Sequence, residues 1–212
     1  MEIVFRYKKE DLLDFVLRYL TKLGVPAEDA KIVGKVLMCA DIRGVESHGL
    51  IRLGSYYGNR IMKGYIDPST PFKVVSDTPS TALIDGANGC GQVVSHKAMK
   101  LCIEKAQKSG LGAVTVRNSN HFFMAINIKA FRPVMDFKKY LDEMIQLLKS
   151  SPLAVGGSEI YIAGEKEFAL ARFNEKHGVP LIKPIVEDLI KDGEKAGVPF
   201  DLVPVHESLS MD

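Results

Sequence analysis

The chain has 212 residues, of which 46% are apolar and 25% charged, a composition typical of globular proteins and unlike that of disordered or fibrous ones. Lys and Arg total 28 and Asp and Glu total 26, so the net charge is +2 and no nucleic-acid partner is expected. The apolar stretches are far shorter than the ~20 residues of a membrane span, and the first residues lack the pattern of a signal peptide. The length predicts one large domain or two small ones.

The three cysteines, Cys39, Cys90 and Cys102, lie in apolar segments without metal-ligand spacing. Free thiols in such segments usually belong to the core. They therefore predict reduced core residues in a cytoplasmic protein, and no metal site is expected.

Three helices are predicted in the first third of the chain. Apolar residues from Leu12 to Leu23 recur at helical spacing and stop at Gly24. A second helix is expected to begin near Pro26. A third is expected to begin at Ser47, a residue that often caps helix N-termini, and to run to residue 64.

After residue 71 the pattern changes to shorter β-like runs. A strand at 81–85, a helix at 92–109 and a strand at 112–116 together predict a β-α-β unit. The glycine-rich segment 86–91 lacks the spacing of a phosphate-binding loop, so it is interpreted as a tight turn between strand and helix.

In the second half of the chain, the apolar pattern predicts strands and helices in alternation, followed by a frayed tail at 199–212. The expected fold is α/β (α+β), with an N-terminal helical subdomain at 1–70, a short β-α-β sheet region at 71–130, and a C-terminal α/β segment at 131–212 that packs on the N-terminal helices. The individual elements are strands at 122–128 and 159–163 and helices at 134–149, 165–176 and 184–196.

The densest polar cluster spans residues 41–52. In a helix that begins at Ser47, His48 and Arg52 are four positions apart and share one face. An imidazole transfers protons near neutral pH, and a guanidinium binds a carboxylate with two parallel hydrogen bonds. This pair would suit an anionic hydroxy or keto acid; the alternative is a helix start with one surface histidine and one surface arginine.

A second polar cluster, residues 117–121, follows directly after a predicted strand. Its sequence is Arg-Asn-Ser-Asn-His, ending at Asn120 and His121. Polar groups at the carboxyl end of a strand often line a cleft in sheets of this type. The alternative is a polar turn between two strands.

These clusters lie in segments that resemble the type 2 malate/L-lactate dehydrogenase family, which includes sulfolactate, ureidoglycolate and diketogulonate oxidoreductases. The segment ADIRGVESHGLIRLGSYYGNRIMKG at 40–64 is similar to one signature of that family. ALIDGANGCGQVVSHKAMKLCIEKAQKSGLGAVTVRNSNHF at 82–122 is similar to a second, and HFFMAINIKAF and IYIAGEKEF resemble its C-terminal part.

The resemblance implies NAD- or NADP-dependent oxidation of a small 2-hydroxy acid, or reduction of the keto acid, by a homodimer with its own nicotinamide-binding fold rather than a Rossmann fold. Within it, His48 and His121 are the acid/base candidates. Arg52 is expected at the substrate carboxylate, with Ser47 beside it, and Asn120 is expected to contact the substrate.

The chain departs from the family pattern after His121, where it passes directly into Phe122 and a strand that resembles a much later part of the family sequence. Roughly one domain's worth of residues is missing, which resembles an internal deletion. An alternative function follows: a cofactor-less, catalytically inactive remnant that acts as a dimerising or small-acid-binding module.

Overall fold

The computed structural model describes residues 3–208 and contains seven helices and seven strands within that range, together with shorter 3-10 and π-helical segments. In chain order the helices and strands are β1 (Val4–Tyr7), α1 (Lys9–Lys22), α2 (Ala27–Ile42), α3 (Asn59–Met62), β2 (Lys73–Asp77), β3 (Thr81–Asp85), α4 (Gly91–Ser109), β4 (Leu111–Arg117), β5 (His121–Ile126), α5 (Val134–Lys149), α6 (Glu165–His177), β6 (Val179–Ile182), α7 (Lys183–Ala196) and β7 (His206–Ser208).

The larger core joins the N-terminal helices to the C-terminal segment. The apolar stripe of α1, which includes Phe15 and Leu20, packs with Leu37 of α2, and the same cluster contains Leu181 of β6 and Leu189 of α7. The helical periodicity of α1 and α2 is confirmed, and it places their apolar faces in one core. The three-part division of the chain stays a prediction.

A three-stranded antiparallel sheet, in the order β6-β1-β7, brings the two ends of the chain together. Val4 pairs with Ile182 on one side and with Ser208 on the other. The predicted frayed tail is therefore wrong for 206–208, because β1 offers a free edge to that strand, and residues 209–212 lie outside the described part. None of these three short strands was predicted.

The second sheet, in the order β2-β3-β4-β5, contains the predicted β-α-β unit: β3 and β4 are parallel and α4 connects them. Ile84, Val94, Cys102 and Val114 form its small core. The strand predicted at 122–128 is observed as β5, antiparallel to β4. The mixed α/β fold with two small sheets agrees with the expected class.

Two predictions in the second half of the chain have different outcomes. The amphipathic helix α5 is confirmed, yet none of its residues is buried. The strand predicted at 159–163 is wrong, because that segment is irregular and pairs with no described strand. Within 3–208, no helix is long and apolar enough to cross a membrane.

Candidate functional site

A cleft of about 970 Å³ lies between the start of α4 and the β4–β5 turn on one side and the helical segment before residue 63 on the other. Its walls are aromatic and polar. They include Tyr56, Tyr57, Arg60, Tyr65, Gln92, His96, Asn118, Ser119, Asn120, His121 and Phe123. The volume lies in the range of small-molecule sites.

The helical segment on one wall is held against the larger core by two glycines. It is π-helical over Leu53–Gly58 and continues into α3. A Cβ added to Gly54 would overlap the Asp192 carboxylate, and one added to Gly58 would overlap the Tyr19 hydroxyl. This close approach fixes the segment that carries Tyr56, Tyr57 and Arg60.

The β4–β5 turn on the opposite wall is held by Asp85 at the end of β3. Asp85 Oδ1 accepts a hydrogen bond from Asn118 Nδ2 at 2.8 Å, and Oδ2 accepts one from Arg117 at 2.9 Å. The pKa of Asp85 is held below its usual value by hydrogen bonds. The largest effect comes from the backbone N–H of Ala87, followed by the side chains of Asn118 and Arg117. Asp85 was not singled out from the sequence, because its side-chain partners, Arg117 and Asn118, are more than thirty positions away.

The turn presents Asn120 and His121 to the cleft. Asn118 and Asn120 have φ values of 58° and 54°, a left-handed conformation that asparagine tolerates better than most residues. Ser119 Oγ lies 3.1 Å from His121 Nδ1, and the His121 ring is parallel to that of Phe123. These contacts orient the imidazole, so a cleft-lining turn describes the segment better than a simple polar connection.

Ser47, His48 and Arg52 form a second group. Ser47 Oγ lies 2.9 Å from His48 Nδ1, and Arg52 Nε donates to the Ser47 carbonyl oxygen at 2.8 Å. Ser47 therefore brings the three predicted residues together, and all three are exposed.

The helix predicted from Ser47 is wrong, and so is the shared helical face of His48 and Arg52. Glu46–His48 is a 3-10 turn, and helical backbone resumes only at residue 51. The interruption has a tertiary cause: the buried Asp41 carboxylate accepts the backbone N–H of Leu50 at 2.7 Å. This buried hydrogen bond outweighs the local preference of Ser47 to cap a helix.

The two groups are not in direct hydrogen-bond contact in the described chain. Asn120 and His121 line the cleft, whereas Ser47, His48 and Arg52 lie outside its lining. Arg52 precedes Tyr56 by one turn. Burial raises the pKa of the Tyr57 hydroxyl, and the nearby charge of Arg52 opposes that shift.

Two cleft residues were missed by sequence reasoning. His96 was interpreted as a helix-surface residue, yet it lines the cleft from α4. Gln92 bonds the Tyr57 hydroxyl through Nε2, while its buried Oε1 has no partner among the described residues. The spacing of either residue gave no signal, because the cleft joins segments that are distant in sequence. Within 3–208 no cluster suited to a metal ion is present.

Comparison with known proteins gives consistent matches to one family. The model of a family described as malate/L-lactate dehydrogenase matches residues 7–125 and 120–190. A malate dehydrogenase of Pyrococcus abyssi is 54% identical over 120 residues, which are 57% of this chain and 33% of the relative. Ureidoglycolate dehydrogenase (NAD(+)) of Escherichia coli K12 is 30% identical over 158 residues, 74% of this chain and 44% of the relative. The matched stretch thus spans about a third of the length of the Pyrococcus malate dehydrogenases.

Solved structures show the same likeness. Malate dehydrogenase from Pyrococcus horikoshii OT3 superposes with a TM-score of 0.89 at 26% identity, covering 92% of this chain and 96% of that chain. Sulfolactate dehydrogenase from Methanocaldococcus jannaschii superposes with a TM-score of 0.85 at 22% identity, covering 92% and 98%. The fold of this chain is therefore the fold of these dehydrogenases.

Proposed function

Because the chain belongs to the malate/L-lactate dehydrogenase family, we propose that its cleft binds a small 2-hydroxy or 2-keto acid and serves nicotinamide-dependent oxidation or reduction of that acid. The observation that carries the proposal is the position of His121, an oriented imidazole in the cleft wall beside Asn120. A neutral imidazole accepts the hydroxyl proton of a hydroxy acid as hydride leaves, and returns it in the reverse direction.

The group around Ser47 supplies the remaining roles in this proposal. Arg52 binds the substrate carboxylate, since a guanidinium is suited to two parallel hydrogen bonds with a planar anion. His48 is the second acid/base candidate, with Ser47 at its Nδ1. Asn120 contacts the substrate from the β4–β5 turn in the cleft lining, whereas Ser47, His48 and Arg52 reach it from outside that lining.

The cleft offers one feature that fits the nicotinamide end of NAD or NADP. The buried Gln92 Oε1 is an acceptor without a partner in the described chain, and unpaired buried acceptors are costly. It would accept the amide N–H of the nicotinamide carboxamide. When bound, that cofactor supplies the hydride acceptor or donor, while His121 accepts or returns the hydroxyl proton of the substrate.

We further propose that the chain is an internally shortened family member. Its two family matches meet at residues 120–125, around the passage from His121 to Phe122. The malate dehydrogenase of Pyrococcus horikoshii is longer than this chain, because 124 aligned residues make up only 34% of it. The superposition on the malate dehydrogenase structure from the same organism nevertheless covers 96% of that structure's chain. Both findings support an internal stretch that this relative has and this chain lacks.

This shortening favours a second candidate function, a cofactor-less module that binds a small acid or dimerises. Hydride transfer requires a nicotinamide ring held in position over the substrate. A chain without the missing stretch offers fewer contacts to a dinucleotide. We therefore expect NADH to bind far more weakly here than to a full-length relative.

Calorimetric titration separates the two candidates. NADH and NADPH are titrated first, then oxaloacetate and L-malate with and without cofactor, and NADH consumption with oxaloacetate is followed by absorbance. The dehydrogenase proposal expects turnover that is lost in His121→Asn. Binding of the acid without any cofactor binding or turnover would overturn that proposal in favour of the module. Micromolar NADH affinity would contradict the expected weakening.

A homodimer or larger assembly is also proposed for this chain. The edge strand β5 exposes Phe122, Met124 and Ile126, each more than half accessible. Unpaired edges and exposed apolar rows favour pairing with another chain. Self-association would cover them.

A further inference from the structure

A second cavity, about 470 Å³ in volume, lies between α1, α2 and α6. It shares no lining residue with the cleft described above. Neither the proposed dehydrogenase chemistry nor the binding of its substrate uses this cavity. We call it the α6 groove.

The floor of the α6 groove is apolar. Met38 and Ile42 of α2 are 1% and 5% exposed and belong to the larger core. Leu13 of α1 and Ala171 of α6 lie beside them, and the half-exposed ring of Phe168 forms one wall. Such a surface favours an apolar ligand body.

The rim of the groove is strongly basic. Lys9, Lys35, Arg43 and Arg172 line it, and Glu175 is the one acidic residue among its lining side chains. Glu175 pairs with Lys9 at 3.1 Å. For Lys35, Arg43 and Arg172, no carboxylate within the described residues lies at ion-pair distance, so three positive charges surround an apolar floor.

The groove is held open by anchors on α6 that are not part of it. Asn174 accepts a hydrogen bond from Arg6 Nη1 at 2.9 Å and donates one to the Ile42 carbonyl at 2.8 Å, both buried. Leu170 packs so closely on Gly44 that a Cβ there would overlap it. These contacts fix α6 at a distance from α2 that leaves the space between them.

We propose that the α6 groove binds an amphipathic monoanion, namely a medium-chain fatty carboxylate. Its chain lies along Leu13, Ile42 and Phe168. Its head group is held by Arg43 and Arg172. Arg43 is already positioned over the Phe168 ring, 5.1 Å from its centroid, which orients the guanidinium at the groove rim. The cavity volume suits a ligand of this size.

Cys39 provides a built-in reporter of occupancy. It lines the groove and is partly exposed, whereas Cys90 and Cys102 are fully buried. A small neutral reagent such as N-ethylmaleimide therefore alkylates Cys39 selectively. A ligand in the groove should slow that reaction, and Cys39→Ser should abolish the signal.

The experiment measures Cys39 alkylation in the full chain with decanoate, kept below its micelle concentration, and with 1-decanol as the uncharged analogue. We expect decanoate to slow alkylation at least about fivefold and decanol to have little effect. In Arg43→Gln/Arg172→Gln, the decanoate concentration for half-protection should rise about tenfold or more. Both arginines are exposed, so their replacement leaves the core intact.

The matched control is Lys138→Gln/Lys139→Gln, which removes two charges from α5, outside the groove, and should leave protection unchanged. The proposal is overturned if decanoate gives no protection, if decanol protects equally, or if the arginine variant behaves as the parent. Because the readout is thiol chemistry, failure of the dehydrogenase proposal does not affect it.

Discussion

The backbone N–H of Leu50 donates to Asp41 Oδ2 at 2.7 Å, and this bond fixes the end of the turn that carries Ser47 and His48. Asp41 is fully buried, and its other oxygen, Oδ1, has no partner among the described groups. Gly49 lies directly against that oxygen. One α2 carboxyl thus sets where the candidate acid/base histidine emerges.

Asp41 is expected to make stability depend on pH. Burial raises its pKa from 3.8 to about 7, so between these values the folded chain keeps a proton that the unfolded chain has lost. The free energy of unfolding should therefore fall as pH rises from about 4 to about 7, by at most ~4 kcal/mol, and level off above. Urea unfolding across this range measures it.

Asp41→Asn removes the titrating group and keeps an acceptor for Leu50. The fall in stability with rising pH should largely disappear in this variant, whereas the exposed Asp188→Asn should retain it. An unchanged slope in Asp41→Asn would assign the pH dependence to other groups.

Gly49→Ala should destabilise the chain and disturb the His48 turn. The new Cβ would overlap Asp41 Oδ1, and overpacking of this kind costs about 1–3 kcal/mol. The control is Gly91→Ala, where the nearest atom would be 3.9 Å away. Thermal unfolding of both variants checks the prediction, and equal melting temperatures would contradict it.

The buried contact between Arg6 and Asn174 should be strongly coupled. Arg6 Nη1 donates to Asn174 Oδ1 and to the Gly178 carbonyl, each at 2.9 Å, with no described acidic partner. Arg6→Ala should cost about 2–4 kcal/mol. In a double-mutant cycle with Asn174→Ala, the double variant should lose about 1 kcal/mol or more less stability than the sum of the two single losses.

A cycle that pairs Arg6→Ala with the distant Lys195→Ala should be additive. If both cycles are additive, the contact contributes nothing specific to folding.

Arg52 and Arg60 offer a matched test of carboxylate binding. Arg60 lines the cleft, with its guanidinium 4.3 Å from the Tyr56 ring centroid, whereas Arg52 lies at the start of the same helical segment. Arg52→Lys keeps the charge and loses the two-pronged geometry, so L-malate affinity should fall about tenfold. Weakening by Arg60→Lys alone would transfer the role to Arg60.

Self-association should depend on the exposed apolar face of α5. Phe137, Leu141, Met144 and Leu148 follow one helical face, and all are exposed. Leu141→Glu/Met144→Glu should shift the chain towards monomer in light scattering, since charges oppose burial of this face. Glu143→Gln, outside this face, is the control. A monodisperse monomer in the parent chain would refute the prediction.

The long helices could be predicted from the sequence because their apolar periodicity is local. The α1 and α2 stripes, and α4 between two strands, needed no knowledge of partners. By contrast, β1 and β6 have four residues each, too few for a pattern, and they exist because they pair across the fold. Segment 159–163 has a strand-like sequence but no strand to pair with.

The grouping of Ser47, His48 and Arg52 was predictable from the sequence, whereas its geometry and the cleft residues Gln92 and His96 were not. Ser47, His48 and Arg52 are together as expected, although through Ser47 rather than along one helix face. The cause is Asp41, whose bond to Leu50 spans nine residues and outweighs the local preference to start a helix at Ser47. Long-range contacts of this kind leave no periodic trace.

The pairing of Val4 with both Ile182 and Ser208 has a consequence for synthesis on the ribosome. The larger core needs side chains from β6 and α7, which are translated after the β2–β5 sheet. The apolar faces of α1 and α2 therefore stay uncovered until β6 and α7 have been synthesised. The β2–β5 sheet is made of contiguous sequence, so during synthesis it can form before the larger core is complete.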